Sequence, residues 1–401
     1  MRFLHTSDWH LGKFMNGKNL LEDQIFFLEQ IKKQFRKGKE ENNPYTALLI
    51  AGDIYDRQTP MEEATEVLSD FLYSFSQEFP EVHVFIISGN HDSAGRLSFA
   101  APFFHKHNIH ITTDTLKITE PVILENTAFY QLPYLFPNSL KSSAQEDLYL
   151  KKQQDLYKEA CETICNSHSK NHSEKESVLV AHPFVLGNVK FGSERSSIGD
   201  TERVDADLFK DFTYCAFGHI HGYHVCDNAH RCFYSGAPLA YHSDDSPETF
   251  FLDVKLNGKD IPSVEKIPVE PLHPVACLEG KIQEFTDGNA KWKKYENSYV
   301  FISLTDEVSV PDAHARLKPV FPNLINVKPK DRIFKGEKTS ALERKRVMKS
   351  KDITKIFEQF ISDVEGKKDS SLTDDEKKLF AGEVELLKEL ARECNWGSSS
   401  E

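Results

Sequence analysis

Short apolar runs alternate with longer amphipathic stretches over about the first 260 residues of the chain. The runs are rich in β-branched and aromatic residues, which predicts buried strands, whereas the longer stretches repeat apolar residues at helical spacing. Eight strands are predicted: residues 2–7, 46–52, 83–89, 127–133, 177–182, 213–219, 232–237 and 249–256. Strands that alternate with helices are typical of an α/β or layered α+β fold in which helices cover the sheets.

Three long helices are predicted between these strands, at residues 19–37, 60–78 and 144–167. The first is predicted to end at Gly38, because glycine commonly follows the last turn of a helix. The second has Pro60 in its first turn, where the missing N–H group costs little.

The pattern changes after residue 270, where the predicted first domain, residues 1–270, ends. Proline-punctuated segments predict a small β-rich domain over residues 271–335, because prolines interrupt regular structure every few residues. A basic linker, residues 336–351, and a helical hairpin, residues 352–396, are predicted to follow. A hairpin of this length buries little core of its own, so we expect its apolar face to dock on the body of the protein or on a partner.

Composition narrows the class of protein. The longest apolar runs are shorter than the roughly 20 residues of a membrane helix, and the start MRFLHTSDWH lacks the apolar stretch of a signal peptide. We therefore expect a cytoplasmic protein with no membrane contact. Seven cysteines without a CxxC pair indicate reduced thiols rather than a disulfide framework or a zinc ribbon.

The charge is unevenly distributed. A net charge of −13 is unusual for a protein that binds nucleic acid, but residues 328–351 carry ten Lys or Arg against three acids. This basic segment is either a solvated linker or a phosphate contact, and the sequence leaves both interpretations open.

Five segments place Asp, Asn or His directly after apolar runs. They are SDWH (7–10), GDIYDR (52–57), GNHD (89–92), AHP (181–183) and GHIHG (218–222). A single histidine at a strand end is typically structural, as we expect for His5, His83 and His110. Five such segments together are different, because strand ends at one edge of an α/β sheet converge on one crevice.

The candidate ligands form a specific donor set: carboxylate and amide oxygens and imidazole nitrogens, without thiolates. Such a set suits Mn²⁺, Fe²⁺ or Zn²⁺. The seven residues are Asp8, His10, Asp53, Asn90, His182, His219 and His221. Seven ligands exceed the needs of one ion, so a pair of ions ~3.5–4 Å apart, bridged by a carboxylate, is predicted. Asp53 is the natural bridge.

In order and separation, the five segments resemble the signatures of the calcineurin-like metallophosphoesterases. The stretches MRFLHTSDWHLG, GNHDS, VLVAHPFVLG and YCAFGHIHG resemble one branch of that family in particular, the SbcD-type nucleases. The likeness extends over nearly the whole chain. It implies a core of two mixed β-sheets flanked by helices, then a small α/β capping domain and C-terminal helices.

The resemblance also implies roles for individual residues. One metal ion would be held by Asp8, His10, Asp53 and His221, and the other by Asp53, Asn90, His182 and His219, with two Mn²⁺ expected and Mg²⁺, Fe²⁺ or Zn²⁺ as alternatives. His91 is the implied general acid. Asp56 is expected to hydrogen-bond His91 and favour its protonated state. Arg57 either binds a substrate phosphate or pairs with a neighbouring acid.

The activity implied by the resemblance is two-metal hydrolysis of DNA phosphodiesters in DNA repair, recombination and replication. SbcD-type nucleases act as ATP-dependent 3′–5′ double-strand exonucleases and hairpin-cleaving endonucleases. Their partner is an SbcC-type, SMC-like ATPase, bound through the C-terminal helices by a nuclease homodimer within a heterotetramer. The chain carries no G-x-x-x-x-G-K-[ST] motif, so any ATP dependence must come from another chain.

Two alternatives compete with this interpretation. The first is another phosphoesterase on the same site, either a phosphoprotein phosphatase or a cyclic-nucleotide phosphodiesterase. The residues after the catalytic region argue against it, since a small-substrate hydrolase does not need them. The second is a non-catalytic scaffold, which the presence of all seven ligands together with His91 makes less favourable.

Overall fold

The computed structural model describes residues 1–136, 139, 152–185, 203–258, 260–288, 290–308 and 310–330. Residues Met1–Lys328 form one compact unit, and Pro329–Glu401 form a second, of which only Pro329 and Lys330 are described. The predicted basic linker 336–351 and helical hairpin 352–396 therefore lie outside the described residues, as do residues 144–151 of the third predicted helix.

Strands dominate the described part of the chain. In chain order they are β1 (Arg2–Thr6), β2 (Phe14–Met15), β3 (Lys18–Asn19), β4 (Ala47–Ile50), β5 (His83–Ile87), β6 (Ile109–Thr112), β7 (Val122–Leu124), β8 (Thr127–Leu132), β9 (Glu176–Ala181), β10 (Phe184–Val185), β11 (Arg203–Val204), β12 (Tyr214–Phe217), β13 (His224–Val225), β14 (Cys232–Tyr234), β15 (Phe250–Lys255), β16 (Ser263–Pro268), β17 (Val275–Gly280), β18 (Tyr299–Leu304) and β19 (Leu324–Pro329). The helices are α1 (Leu21–Glu40), α2 (Glu62–Glu78), α3 (Ala94–Leu97), α4 (Ala101–Phe104), α5 (Gln153–Asn171), α6 (Ile282–Thr286) and α7 (Ala313–Leu317). All eight predicted strands are confirmed.

Two six-stranded mixed sheets form the body of the molecule, as predicted. The first has the order β16-β15-β1-β4-β5-β6, in which β1, β4, β5 and β6 are parallel and β15 runs antiparallel to β1. The second has the order β13-β14-β12-β9-β8-β7, in which β14, β12, β9 and β8 are parallel. Parallel strands therefore form the centre of each sheet.

The layers follow from side chains that alternate along each strand. Phe3, Leu49 and Phe85 of the first sheet meet Phe129 and Val180 of the second in a buried layer between the sheets. The opposite face of the first sheet packs on α1 and α2, and that of the second sheet packs on α5. Because both faces of each sheet are covered, the central strands are apolar on both sides and read as continuous hydrophobic runs.

Helix α1 corrects one prediction. It continues through Gly38 to Glu40 instead of ending at the glycine. A Cβ atom on Gly38 would lie 3.1 Å from both the Asn43 carbonyl oxygen and the Tyr45 ring, so the glycine permits close approach of the returning chain. The residue therefore reflects tertiary packing and not a helix end.

A small subdomain, residues 275–330, follows the two sheets. It contains the three-stranded sheet β17-β18-β19 and the helices α6 and α7. A core of its own includes Phe285, Ile302, Leu317 and Phe321. The predicted boundary between residues 270 and 271 stays a prediction, because most of this subdomain belongs to the same compact unit as the sheets.

His5 is a structural residue between the sheets. It is fully buried on β1, and its two ring nitrogens lie 2.9 Å from the Tyr214 hydroxyl and 3.2 Å from the Phe217 carbonyl oxygen. Burial lowers the pKa of His5 from 6.5 to about 3, so the ring stays neutral in the folded protein.

We predict that His5 makes the protein less stable as the pH falls. The unfolded chain protonates His5 below pH 6.5, whereas the folded protein does so only near pH 3. Each pH unit between these values therefore costs about 1.4 kcal/mol of unfolding free energy. In His5→Gln this cost disappears, so the stability penalty of the substitution should shrink between about pH 7 and pH 5. Urea unfolding of both proteins at each pH, with a chelator present, measures this difference in unfolding free energy. A difference that does not change with pH would contradict the prediction.

Candidate metal centre

The predicted ligands all lie at the carboxyl ends of parallel strands. Asp8 and His10 follow β1, Asp53 follows β4, and Asn90 follows β5. His182 follows β9, and His219 and His221 follow β12 of the other sheet. The structure thus brings together side chains from both sheets that are more than two hundred positions apart in the sequence.

Four of these residues have a left-handed backbone, which non-glycine residues rarely adopt. The φ angles are 53° at Asp8, 44° at His10, 50° at Asp53 and 103° at His219. Hydrogen bonds between the loops hold two of them: the Asp8 N–H donates to the Gly52 carbonyl (3.1 Å) and the His10 N–H to the Asp53 carbonyl (3.0 Å). Backbone strain of this kind is characteristic of functional sites.

Two glycines allow the loops to approach each other. A Cβ atom on Gly218 would lie 2.8 Å from His182 Nδ1 and 2.9 Å from the Ser7 Cβ atom. A Cβ atom on Gly89 would overlap both the side chain and the backbone nitrogen of Asp53. Both positions exclude every residue larger than glycine without movement of a ligand loop.

One half of the site is formed by Asp8, His10 and His221, whose ligand atoms lie within 4.8 Å of one another. The Nε2 atoms of His10 and His221 are 3.1 Å apart. Asp8 accepts hydrogen bonds from the Ser7 hydroxyl (2.5 Å) and the His219 N–H (3.0 Å), which fix the carboxylate. The carboxylate is thus held close to both histidine rings.

The other half is formed around Asn90. Its Oδ1 atom lies 3.2 Å from His182 Nε2 and 3.0 Å from His219 Nδ1. His182 donates its Nδ1 proton to the Ala51 carbonyl (2.7 Å), so Nε2 is the ring atom that faces Asn90. A ring nitrogen and an amide oxygen, both of which can bind a metal ion, therefore lie in contact.

Asp53 lies between the two halves. Its Oδ2 atom is 3.7 Å from His10 Nε2 on one side and 3.4 Å from His182 Nε2 on the other. Its Oδ1 atom accepts the His91 N–H (2.9 Å). This position is the one that a bridging carboxylate requires.

The electrostatics favour a positive charge at this point. Burial raises the pKa of Asp8 to about 8. Burial alone would also raise the pKa of Asp53, but the charge and hydrogen bond of His182, together with the charges of His10 and His91, outweigh it and hold the pKa well below its usual value. Conversely, burial would lower the pKa of His182, and Asp53 raises it to about 9. Burial lowers the pKa of His219 and His221 to about 3, which keeps both in the neutral form that binds metal ions.

These residues fit divalent metal ions. Close contacts between lone-pair atoms, such as His10 with His221 and Asn90 with His182, are repulsive unless a cation or a proton lies between them. The Nε2 atom of His219 is buried and makes no hydrogen bond. Oxygen and imidazole donors without thiolates are the set that Mn²⁺, Fe²⁺ and Zn²⁺ accept.

His91 lies beside this centre, and its ring makes an edge-to-face contact with His10 at 4.9 Å. Asp56 accepts a hydrogen bond from His91 Nδ1 through its main-chain carbonyl (2.9 Å) and not through its carboxylate. The carboxylate is drawn away by Lys13, whose Nζ atom lies 2.6 Å from Oδ1. That same oxygen lies 3.7 Å from His10 Nδ1. The Asp56 side chain therefore faces a candidate metal ligand, and its backbone orients His91.

Arg57 lies at the rim. Its Nε atom is 3.5 Å from Asp56 Oδ2, and its side chain is 75% exposed. An exposed ion pair of this length contributes little to stability. Both interpretations of Arg57, phosphate binding and acid pairing, are compatible with this position.

Sequence reasoning missed three supporting residues. Lys13 binds Asp56, and Gln24 hydrogen-bonds the backbone of the His10 loop. Asp92 accepts the N–H groups of Ile54, Tyr55 and Gly89, which joins two ligand loops. Asp92 belongs to the GNHD segment and Lys13 lies shortly after the SDWH segment, so their positions in the sequence could have indicated a role at the site. Nothing local in the sequence distinguishes Gln24.

Comparison with known proteins agrees with this geometry. The calcineurin-like phosphoesterase family model matches residues 1–223, which contain all seven candidate ligands and His91. The chain belongs to the calcineurin-like phosphoesterase family. Membership implies hydrolysis of phosphate esters with divalent metal ions, and the predicted core of two mixed sheets flanked by helices is confirmed.

Relatives within this family are nucleases. Two proteins named as the SbcD component of nuclease SbcCD, from Staphylococcus epidermidis and Staphylococcus saprophyticus, are each 29% identical to this chain over 327 residues. The alignments cover 81% of this chain and 84% of each relative. They thus extend well beyond the phosphoesterase match, which ends at residue 223. Within the described residues, every helix is too short or too polar to cross a lipid bilayer.

We predict that Gly89→Ala disrupts the centre. The added methyl group must displace Asp53, so we expect a loss of about 1–3 kcal/mol in unfolding free energy together with weaker Mn²⁺ binding. Gly95→Ala is the matched control, because a Cβ atom there meets nothing within 4 Å. Urea unfolding and calorimetric Mn²⁺ titration measure both effects. Equal behaviour of the two variants would show that the close approach at Gly89 is unimportant.

Proposed function

We propose that this protein is a metal-dependent nuclease of the SbcD type that hydrolyses DNA phosphodiesters. The observation that carries the proposal is the convergence of seven oxygen and nitrogen ligands at the strand ends of both sheets, with Asp53 between the two halves. The relatives named as components of nuclease SbcCD, which align over most of this chain, support DNA as the substrate.

In this proposal two divalent ions occupy the centre, and Mn²⁺ is the expected metal. Asp8, His10, Asp53 and His221 hold one ion, and Asp53, Asn90, His182 and His219 hold the other. When bound, the ions lower the pKa of water and neutralise charge on the phosphate oxygens. The Ala51 carbonyl fixes the tautomer of His182 so that Nε2 is the ligand atom.

His91 is the proposed general acid. Its main-chain N–H donates to the Asp53 carboxylate, and its ring Nδ1–H donates to the Asp56 carbonyl. The ring is thus held so that Nε2 faces the substrate. In the protonated form, Nε2–H transfers its proton to the ribose oxygen that leaves phosphorus. The Asp56 carboxylate has a different task here: it faces His10 and is neutralised by Lys13.

We predict that His91→Leu lowers the rate of DNA cleavage by about 10²–10⁴-fold and leaves Mn²⁺ binding intact, because the side chain is an acid and not a ligand. Bis(4-nitrophenyl) phosphate should be affected much less, since nitrophenolate leaves without a proton. Single-turnover rates on both substrates measure the difference. The exposed His107→Leu is the control. Equal losses on both substrates would refute the acid role.

We further predict that hairpin DNA is cleaved with Mn²⁺, and that a phosphopeptide and a cyclic nucleotide are hydrolysed at rates at least about tenfold lower, a difference of about 1.4 kcal/mol in barrier. The physical reason is that a polynucleotide can contact surface beyond the centre, including Arg57. Parallel assays with a chelator as control measure this. Preferential hydrolysis of either small substrate would instead support a phosphatase or a phosphodiesterase.

The partner interaction extends the same proposal. The predicted hairpin 352–396 binds an SbcC-type ATPase, which supplies the ATP dependence of a 3′–5′ exonuclease and hairpin endonuclease, within a heterotetramer that contains a nuclease homodimer. The basic segment 328–351 and Arg57 contact DNA phosphates. The printed names of the relatives, which are components of nuclease SbcCD, support a partner chain, and most of these points concern residues outside the described part of the chain.

A further inference from the structure

The first turn of α1 carries a buried glutamine that binds the His10 loop. Gln24 is fully buried. Its Nε2 group donates to the carbonyls of Trp9 (3.1 Å) and His10 (2.7 Å), and its Oε1 atom accepts the Gly12 N–H (2.9 Å). Both polar atoms of one side chain are thus used within four consecutive residues of a ligand loop.

This loop needs such support. His10 has a φ of 44°, a strained conformation that persists only when the surroundings determine it. The Tyr241 hydroxyl also donates to the Trp9 carbonyl (2.5 Å), and the Tyr241 ring contacts His10 at 5.5 Å. Gln24 therefore acts on the ligand through its backbone and not through its ring.

The neighbouring residue, Asp23, binds residues in and next to the small subdomain instead of the His10 loop. Its buried carboxylate accepts the main-chain N–H of His273 (3.0 Å), the His273 ring nitrogen Nδ1 (3.1 Å) and the Tyr299 hydroxyl (2.6 Å). Tyr299 is the first residue of β18, in the small subdomain, and His273 lies just before β17. Loss of any one donor leaves a buried carboxylate less well satisfied, which is costly.

We propose that the first turn of α1 couples the small subdomain to the metal centre, with Gln24 as the positioning residue for His10. Asp23 and Gln24 are adjacent on one helical turn, so a displacement of Tyr299 and His273 is transmitted to the backbone of the His10 loop. Any molecule that binds the subdomain and moves it then changes the affinity of the His10 site for a metal ion. The inference rests on the proposed metal centre but not on DNA as its substrate.

Gln30, on the same helix, provides a matched comparison. Its side chain donates to the Glu270 carbonyl (2.8 Å) and accepts the Glu270 N–H (2.9 Å). It makes two hydrogen bonds of the same kind, but neither reaches the His10 loop. Gln30 is less buried than Gln24 and makes one hydrogen bond fewer, so the two variants can differ in stability, but the coupling predicts an effect on metal binding for Gln24 alone.

The experiment measures Mn²⁺ affinity by calorimetry and hydrogen exchange of the Gly12 amide in Gln24→Met, Tyr299→Phe and Gln30→Met. Gln24→Met is expected to weaken Mn²⁺ binding by about 10–100-fold, the usual effect of removing a group that orients a ligand. Tyr299→Phe, which removes only one hydroxyl, should weaken it roughly fivefold and speed Gly12 exchange. Gln30→Met should match the wild type in both measurements.

A double variant completes the test. If the two sites act through one element, Gln24→Met combined with Tyr299→Phe binds Mn²⁺ no more weakly than Gln24→Met alone. Wild-type affinity and exchange in Tyr299→Phe, or additive losses in the double variant, would overturn the coupling. Thermal unfolding of each variant identifies any that fail to fold. If Gln24→Met fails to fold, Tyr299→Phe alone still tests the coupling. No readout uses DNA, so failure of the proposed substrate would leave these outcomes unchanged.

Discussion

The structure depends on one electrostatic constraint: acceptor atoms and negative charge are concentrated where the parallel strands of both sheets end. Asp8 and Asp53 are buried there with the ring nitrogens of neutral histidines. Desolvated acceptors repel one another, so this arrangement is stable only with positive charge among them. These groups are held at short distance by the two-layer core, the tight glycine contacts and the left-handed loop residues.

Support for the centre comes from the main chain as much as from side chains. The Ala51 carbonyl orients His182, and the Asp56 carbonyl orients His91. Backbone groups at the ends of buried strands are rigid, so they fix imidazole tautomers at little entropic cost. This explains why residues with no ligand atoms, such as Gly89 and Gly218, are nonetheless tightly constrained by the site.

Much of the fold and of the site can be predicted from the sequence, because both depend on a local signal: an apolar run followed directly by Asp, Asn or His. The eight strands and the clustering of the seven candidate ligands follow from that signal. Contacts between distant segments leave no such trace. Gly38 resembles a helix end because its partner, Tyr45, lies outside the helix. Asp56 meets His91 through its main-chain carbonyl, whereas its carboxylate binds Lys13, which is forty-three positions away. The contact of Asp23 with Tyr299 spans 276 positions and has no local signature at all.

The pairing of β1 with β15 has a consequence for biosynthesis. β1 forms its antiparallel ladder with Phe250–Lys255, which is synthesised about 250 positions after it. Until the ribosome releases that segment, one side of β1 presents unpaired N–H and C=O groups, which are a template for unwanted pairing between chains. A nascent or truncated chain that lacks β15 therefore leaves this side of β1 open to pairing with other chains.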